Sequence, residues 1–317
     1  MGDSAHEDPH LTQPGPPRHT TKLVGMGKAE RNRADNARAR IAQQQAAMRK
    51  AEQRRRLFTV AGAILTVIVV VVAIIVIRSF SGQKQAGGAK LSNSAFAGLT
   101  TVPASTLAKI GTGALPTTKN LPIRSINDTT LASSSGKPEF LYIGAEFCPY
   151  CAAMRWSMAV ALSRFGTFGT LRGIHSTSHD VYPNTATLTF YKQKYTSPYL
   201  TFTPVENETV AETPLQPTTS QQQAIWVKYD TQNGGQGFPF MYFGGKAIIT
   251  GPMYSPSVLQ GLTWSQITGQ LSNPNSAVAQ NVNGAANYIT ASICKMTNNA
   301  PASVCTAAPI PAIQAKL

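Results

Sequence analysis

Acidic residues are scarce in this chain. Only 14 Asp and Glu stand against 28 Lys and Arg in 317 residues, a formal net charge of +14. The excess is not one patch: the first 56 residues hold twelve Lys and Arg against six acids, and the rest is spread over the far longer remainder. Those 56 residues contain no Phe, Tyr or Trp. A nucleic-acid surface would interleave its cations with aromatic stacking platforms, so that class is set aside and no nucleic-acid partner is expected. The same stretch has few large apolar side chains and cannot bury a core, so residues 1–56 read as a basic, mostly disordered tail. Cysteine is also sparse, with four in all: Cys148, Cys151, Cys294 and Cys305. Structural zinc calls for two close pairs, and only the first pair is close, so no metal is expected. His175 and His179 have i, i+4 spacing but fall in a stretch that reads as strand end and loop, where that spacing does not bring them to one face. Nothing in the motifs asks for a cofactor.

What is present begins with one long apolar run. Residues 57–77, LFTVAGAILTVIVVVVAIIVI, carry no charge. As a helix rising 1.5 Å per residue, such a run crosses a hydrocarbon core of about 30 Å. Its β-branched residues would favour a strand in water, but in lipid a lone segment must satisfy its own backbone hydrogen bonds and becomes a helix. A cleaved leader would have a shorter apolar region and a small-residue cleavage site, which is missing after Ile77. Arg49, Lys50, Arg54, Arg55 and Arg56 crowd the N-terminal flank, so the positive-inside rule places the N-terminus in the cytosol and the remainder outside. The expectation is a single-pass protein of the cell membrane with the lipid bilayer as its first partner. Residues 78–94 read as a Gly/Ser/Gln-rich linker.

Residues 95–317 have the composition of a globular domain. Phe140 to Gly144 is a short apolar run long enough for a buried strand. Cys148-Pro149-Tyr150-Cys151 follows at once. Met154, Met158, Ala161, Leu162 and Phe165 then recur at helical spacing, and Thr170 to His175 reads as another strand. This β, turn, α, β order is that of a parallel unit. Residues 176–223 read as an insertion in which Thr185–Phe190 and Tyr199–Thr203 form a β-hairpin. Gln221 to Tyr229 is a helix candidate. Phe238 to Phe243, Gly244-Gly245 and Lys246 to Thr250 read as strand, tight turn and strand, with Pro239 confined to the strand's start because it cannot donate to a ladder. Leu259–Leu271 and Ala277–Ile293 read as closing helices.

A C-x-x-C pair can be half a metal site, a structural clip or a redox couple. Position favours the last. Between a strand and a helix, Cys148 would stand exposed at a helix N-terminus, where free N–H groups and the dipole favour a thiolate. Cys151, one turn in, would be the buried resolving thiol. Pro149 suits a first helical turn because its missing N–H costs nothing there. Tyr150, between the cysteines, is an exposed candidate for substrate contact. Cys294 and Cys305, with ten residues between them, are expected to form a structural disulfide; the sharper reading is a second redox relay.

The elements FLYIGAEFCPYC and GFPFMYFGGKAIITG resemble those of a thioredoxin fold. More closely, EFCPYCAAMRW, DVYPNTATLTFYKQKYTSPYL, FPFMYFGGK and AANYITASICKMTNNAPASVC resemble a family of uncharacterised, membrane-anchored thioredoxin-like proteins. The fold class implied is α/β, a thioredoxin-like fold with a β-hairpin/loop insertion, preceded by one transmembrane helix. The resemblance implies a cis Phe238–Pro239 bond facing the cysteines, with the Phe238 backbone pairing to substrate. It departs from thioredoxins in having Phe147 where they carry Trp and Tyr142 where they carry a buried carboxylate; Glu146 is nearer but is expected to be more exposed. The function it points to is an extracytoplasmic thiol–disulfide oxidoreductase or isomerase acting on exported protein thiols and disulfides, with a membrane electron-transfer partner. The alternative is a thioredoxin-shaped binding module whose C-x-x-C is a structural disulfide.

Overall fold

The computed structural model describes residues 88–116, 118–128, 136–230 and 236–317. The expected basic tail, the transmembrane helix over 57–77 and most of the linker lie outside them. Among the described residues no helix is long and apolar enough to cross a membrane.

In chain order the elements are β1 (Ala89–Lys90), α1 (Asn93–Thr100), α2 (Ala104–Ile110), β2 (Ile123–Ser125), β3 (Glu139–Gly144), α3 (Pro149–Leu162), β4 (Thr167–Phe168), β5 (Arg172–His175), β6 (Ala186–Thr189), β7 (Tyr195–Thr196) and β8 (Thr201–Glu206). They continue with α4 (Ser220–Tyr229), β9 (Phe240–Phe243), β10 (Ala247–Thr250), α5 (Trp264–Gln270), α6 (Ala277–Met296), α7 (Ala302–Cys305) and α8 (Ile310–Gln314). The fold is mixed α/β.

Its centre is a sheet in the order β2-β10-β9-β3-β8, with β8 parallel to β3 and the others antiparallel. Alternation along each strand sorts the side chains into two faces. Phe140, Tyr142, Met241, Phe243 and Ile249 face one core with Met154, Trp156 and Met158 of α3 and Val282 and Ile289 of α6. Leu141, Ile143, Val205, Phe240, Tyr242 and Ile248 face a second core with Ile225 and Trp226 of α4. Both faces are covered, which is why β3 reads as a continuous apolar run rather than an alternating one. The β9–β10 hairpin turns on Gly244 and Gly245, whose φ angles of +50° and +77° suit residues without a Cβ.

Two strand assignments differ from expectation. Thr185–Phe190 and Tyr199–Thr203 do not form a hairpin. β6 pairs instead with β5 in a separate sheet, β1-β5-β6, while β8 runs parallel to β3 at the edge of the main one. Thr170–His175, read as the second strand of the parallel unit, therefore belongs to the small sheet, and the parallel partner lies inside the stretch read as an insertion. Trp156 ties the small sheet down, its Nε1–H donating to the Ala186 carbonyl at 3.0 Å. Leu259–Leu271 is helical only over Trp264–Gln270, where Thr263 and Gln266 form a capping box.

Cys294, at the end of α6, and Cys305, at the end of α7, form a disulfide spanning 11 positions. Closing a loop of this size stabilises by about 3 kcal/mol in the chain-entropy account. Both cysteines are buried, so the bond staples the C-terminal segment to the core.

Candidate functional site

Helix α3 starts where the sequence places it. Cys148 is its N-cap, with extended backbone at φ −72° and ψ 119°, and Pro149 opens the helix. The Cys148 sulfur accepts the Cys151 N–H at 3.2 Å, filling the role a serine hydroxyl commonly takes at a cap. Cys151 sits one turn in and is fully buried. Both thiols are free and lie together.

The expected exposure of Cys148 is not met. Its residue surface is only 5% accessible. Phe147, Tyr150 and Phe238 pack over the pair and are themselves half-buried. Tyr150 rests edge-on against Tyr182 with ring centroids 5.9 Å apart, and Phe147 meets Phe238 at 6.2 Å. Trp226 stacks on Phe238 at 5.3 Å and donates its Nε1–H to the Gly237 carbonyl at 3.1 Å. The Phe238–Pro239 peptide bond is cis. Three aromatic side chains thus contribute to the cover, and side chains can change rotamer without a backbone rearrangement.

Beneath the pair lies a charge cluster that the sequence reading did not anticipate. Arg155, four residues after Cys151 and therefore on the same helix face, is fully buried. Its Nε–H and Nη2–H donate to the two carboxylate oxygens of Glu206 at 2.9 and 2.6 Å. Nη2 also donates to the Ala145 carbonyl at 2.6 Å. The parallel register sets Glu206 opposite Gly144, at the strand end from which α3 departs, and this brings the ion pair under the helix start. Glu206 Oε1 also accepts the Phe190 N–H at 3.1 Å. Glu146, expected to be exposed, is fully buried and accepts the Thr189 hydroxyl at 2.6 Å. Tyr142 is buried too, and its hydroxyl lies over Gly144, where a Cβ would fall 2.0 Å from that oxygen.

The two thiols are pushed in opposite directions. Cys148 is lowered, first by its hydrogen bond with the Cys151 side chain and further by the Cys151 N–H and the Arg155 charge, against the opposing effect of burial. Cys151 is raised well above the ordinary thiol value, first by burial and then by the hydrogen bond and charge of Cys148. Burial also raises the Glu146 carboxyl and the Tyr142 phenol. The arrangement sets the two sulfurs apart, favouring thiolate at the one that caps the helix and thiol at the partner one turn in.

A pH profile of alkylation checks this asymmetry. Iodoacetamide is expected to label Cys148 with a midpoint below that of an ordinary cysteine, because thiolate is the reactive form and its population rises at lower pH when the pKa falls. Cys151 is expected to stay unlabelled in the folded protein. Labelling read by peptide mass, with equal midpoints for both residues as the contrary result, decides it.

Among the described residues no cluster of three or more His, Cys, Asp or Glu is arranged to hold a metal ion. His175 lies instead against the Trp264 ring at 4.6 Å.

Fold and site together define a mixed α/β domain with a buried dithiol capping a core helix. Residues 124–295, more than half of the chain, match a family described as a domain of unknown function (DUF929), and the chain belongs to that family. The match contains Cys148, Cys151, Arg155, Glu206 and Pro239. Neither the curated proteins nor the solved structures give a match.

Proposed function

We propose that the chain is a thiol–disulfide oxidoreductase or isomerase of thioredoxin-like fold, held at the outer face of a membrane by the apolar run at 57–77 and acting on exported protein thiols. The observation that carries this reading is a pair of free thiols at the start of α3, with the Cys148 sulfur capping the helix through the Cys151 N–H and the two thiols biased in opposite directions. Exchange proceeds when a thiolate attacks a disulfide sulfur through a mixed disulfide. In the reducing direction Cys148 attacks the substrate disulfide and Cys151 resolves the adduct; in the oxidising direction a substrate thiolate attacks the Cys148–Cys151 disulfide at Cys148. The resemblance noted above supports the cis Phe238–Pro239 segment as the place where substrate backbone pairs, with Tyr150 at its rim. A membrane electron-transfer partner would recycle the pair.

The burial of Cys148 favours a second reading, a thioredoxin-shaped binding module in which the pair is a stable clip. The reduction potential separates the two: below about −300 mV the pair is a clip, and above it a working site. The direct test is a trap. A Cys151→Ala variant of the full chain, expressed in its own membrane, is expected to accumulate mixed disulfides through Cys148 that reductant releases. A potential in the clip range together with no trapped adduct overturns the enzyme reading.

A further inference from the structure

We propose that Arg155 is a positioning residue that sets the charge of the Cys148–Cys151 pair, a fixed cation beneath Cys151 whose strength is tuned by Glu206. This rests on the pair being a working thiol site.

Geometry supplies the first argument. Arg155 and Cys151 stand on one face of α3, a single turn apart, and both are fully buried. The Ala145 carbonyl ties the guanidinium to the start of α3, accepting Arg155 Nη2 at 2.6 Å. The Ala145 carbonyl also accepts the Cys148 N–H at 3.3 Å. The guanidinium is therefore held at the carbonyl that also anchors the Cys148 backbone, with Cys151 one turn above it on the same helix face.

Unspent polar atoms supply the second argument. Arg155 Nη1, Tyr142 Oη and one carboxylate oxygen of Glu146, Oε2, are buried without a hydrogen-bond partner. An ion pair serving only to hold the fold would satisfy its atoms, because leaving them bare costs free energy. Here the cation keeps a free donor among groups that change charge. The titratable groups around it come from every neighbouring element: Tyr142 from β3, Glu146 from the following loop, Glu206 from β8, and Cys148 and Cys151 from α3.

The step in which this matters is resolution. Cys151 gives up its proton and its sulfur attacks Cys148 in the mixed disulfide. The Cys148–Cys151 bond forms as the bond from Cys148 to the substrate sulfur breaks. The substrate sulfur leaves with the electron pair and takes up a proton, so the Cys148–Cys151 pair is oxidised and the substrate reduced. Negative charge on Cys151 is greatest once its proton has left and passes to the departing substrate sulfur as the new bond forms, so a cation fixed below Cys151 lowers the cost of reaching the attacking thiolate. The same cation favours the reduced, thiolate-bearing form over the neutral disulfide, and so raises the potential of the pair.

Opposite changes at the two ends of the ion pair give opposite outcomes. In the full chain, Arg155→Met is expected to shift the equilibrium with glutathione about tenfold toward the disulfide, which is about 30 mV lower for this two-electron couple. Glu206→Gln removes the opposing charge and is expected to shift it the other way, while Arg155→Lys keeps the charge and stays near wild type. The alkylation midpoint of Cys148 should rise in Arg155→Met and fall in Glu206→Gln. A purely structural ion pair would move both variants in the same direction or not at all, and that result overturns the proposal. Should Glu206→Gln fail to fold, Arg155→Met is read against Arg155→Lys, and equal Cys148 midpoints in those two overturn the proposal. Should Arg155→Met fail instead, Glu206→Gln decides, and a midpoint at or above wild type overturns it. If the wild-type pair never exchanges with glutathione, the enzyme reading falls, and the alkylation midpoints still report separately on Arg155.

Discussion

Glu206→Ala is expected to cost about 3–5 kcal/mol of folding stability, the penalty usual for removing one partner of a buried ion pair. The reason is what stays behind. Arg155 would remain fully buried, with Nε losing its acceptor and Nη2 keeping only the Ala145 carbonyl. The Phe190 N–H would lose its acceptor as well. Tyr142 and Phe190, in edge contact with each other, are fully buried as Glu206 is, so the orphaned cation would be left in the interior. The double replacement Arg155→Met/Glu206→Met takes both charges away and fills the volume, so it should recover most of the loss. Urea denaturation checks the pair of expectations. A large fall in midpoint at unchanged slope for Glu206→Ala, with recovery in the double, is the expected result. Equal losses in the two variants would show that packing around Glu206, rather than an orphaned cation, carries the energy.

The legible parts of this molecule are those where local pattern and final structure agree. The helix after the cysteines, the β9–β10 hairpin and the long α6 all follow from spacing, a Gly-Gly turn and amphipathic period. Thr185–Phe190 and Tyr199–Thr203 failed for a physical reason. Alternation identifies a strand but not its partner: Thr185–Phe190 pairs with the strand before it, β5, rather than the one after it, and Tyr199–Thr203 pairs with the distant β3. The site was half legible. The two cysteines announce themselves by spacing. Arg155 had a signal that went unused: it is the single charge within the apolar stretch Pro149–Leu162, one turn below Cys151. Glu206 had none, because its place beneath α3 is set by strand register across 51 residues of sequence. Glu146 departs from expectation because a carboxylate beside a turn is ordinarily solvated, whereas here it is buried and accepts the Thr189 hydroxyl from the small sheet.

Cys148→Ser is expected to abolish thiol–disulfide exchange, a loss of about a thousandfold or more, while leaving the fold almost untouched. The two halves of this expectation come from the same atom. As a cap, the Cys148 sulfur receives the Cys151 N–H, and a serine hydroxyl makes that bond at least as well. The helix start, the packing of Phe147 and Phe238 over it, and the Ala145 hydrogen bond to Cys148 N–H do not depend on sulfur. As a nucleophile, the hydroxyl is useless at neutral pH, because a serine is active only with a base to take its proton, and the titratable neighbours that act on the pair are Arg155 and Tyr142 rather than a histidine. Cys151→Ser should behave differently: the first attack still occurs at Cys148, and the adduct persists because its resolving sulfur is gone. Reduction of a model disulfide by the full chain, run beside thermal unfolding of each variant, reads both properties. Equal residual turnover in the two variants would mean that sulfur order at the start of α3 is irrelevant and that the burial of Cys148 is the functional state. A silent Cys148→Ser variant with a native melting curve would instead place the chemistry on the one sulfur of the pair that the fold lowers in pKa and packs beneath Phe147, Tyr150 and Phe238.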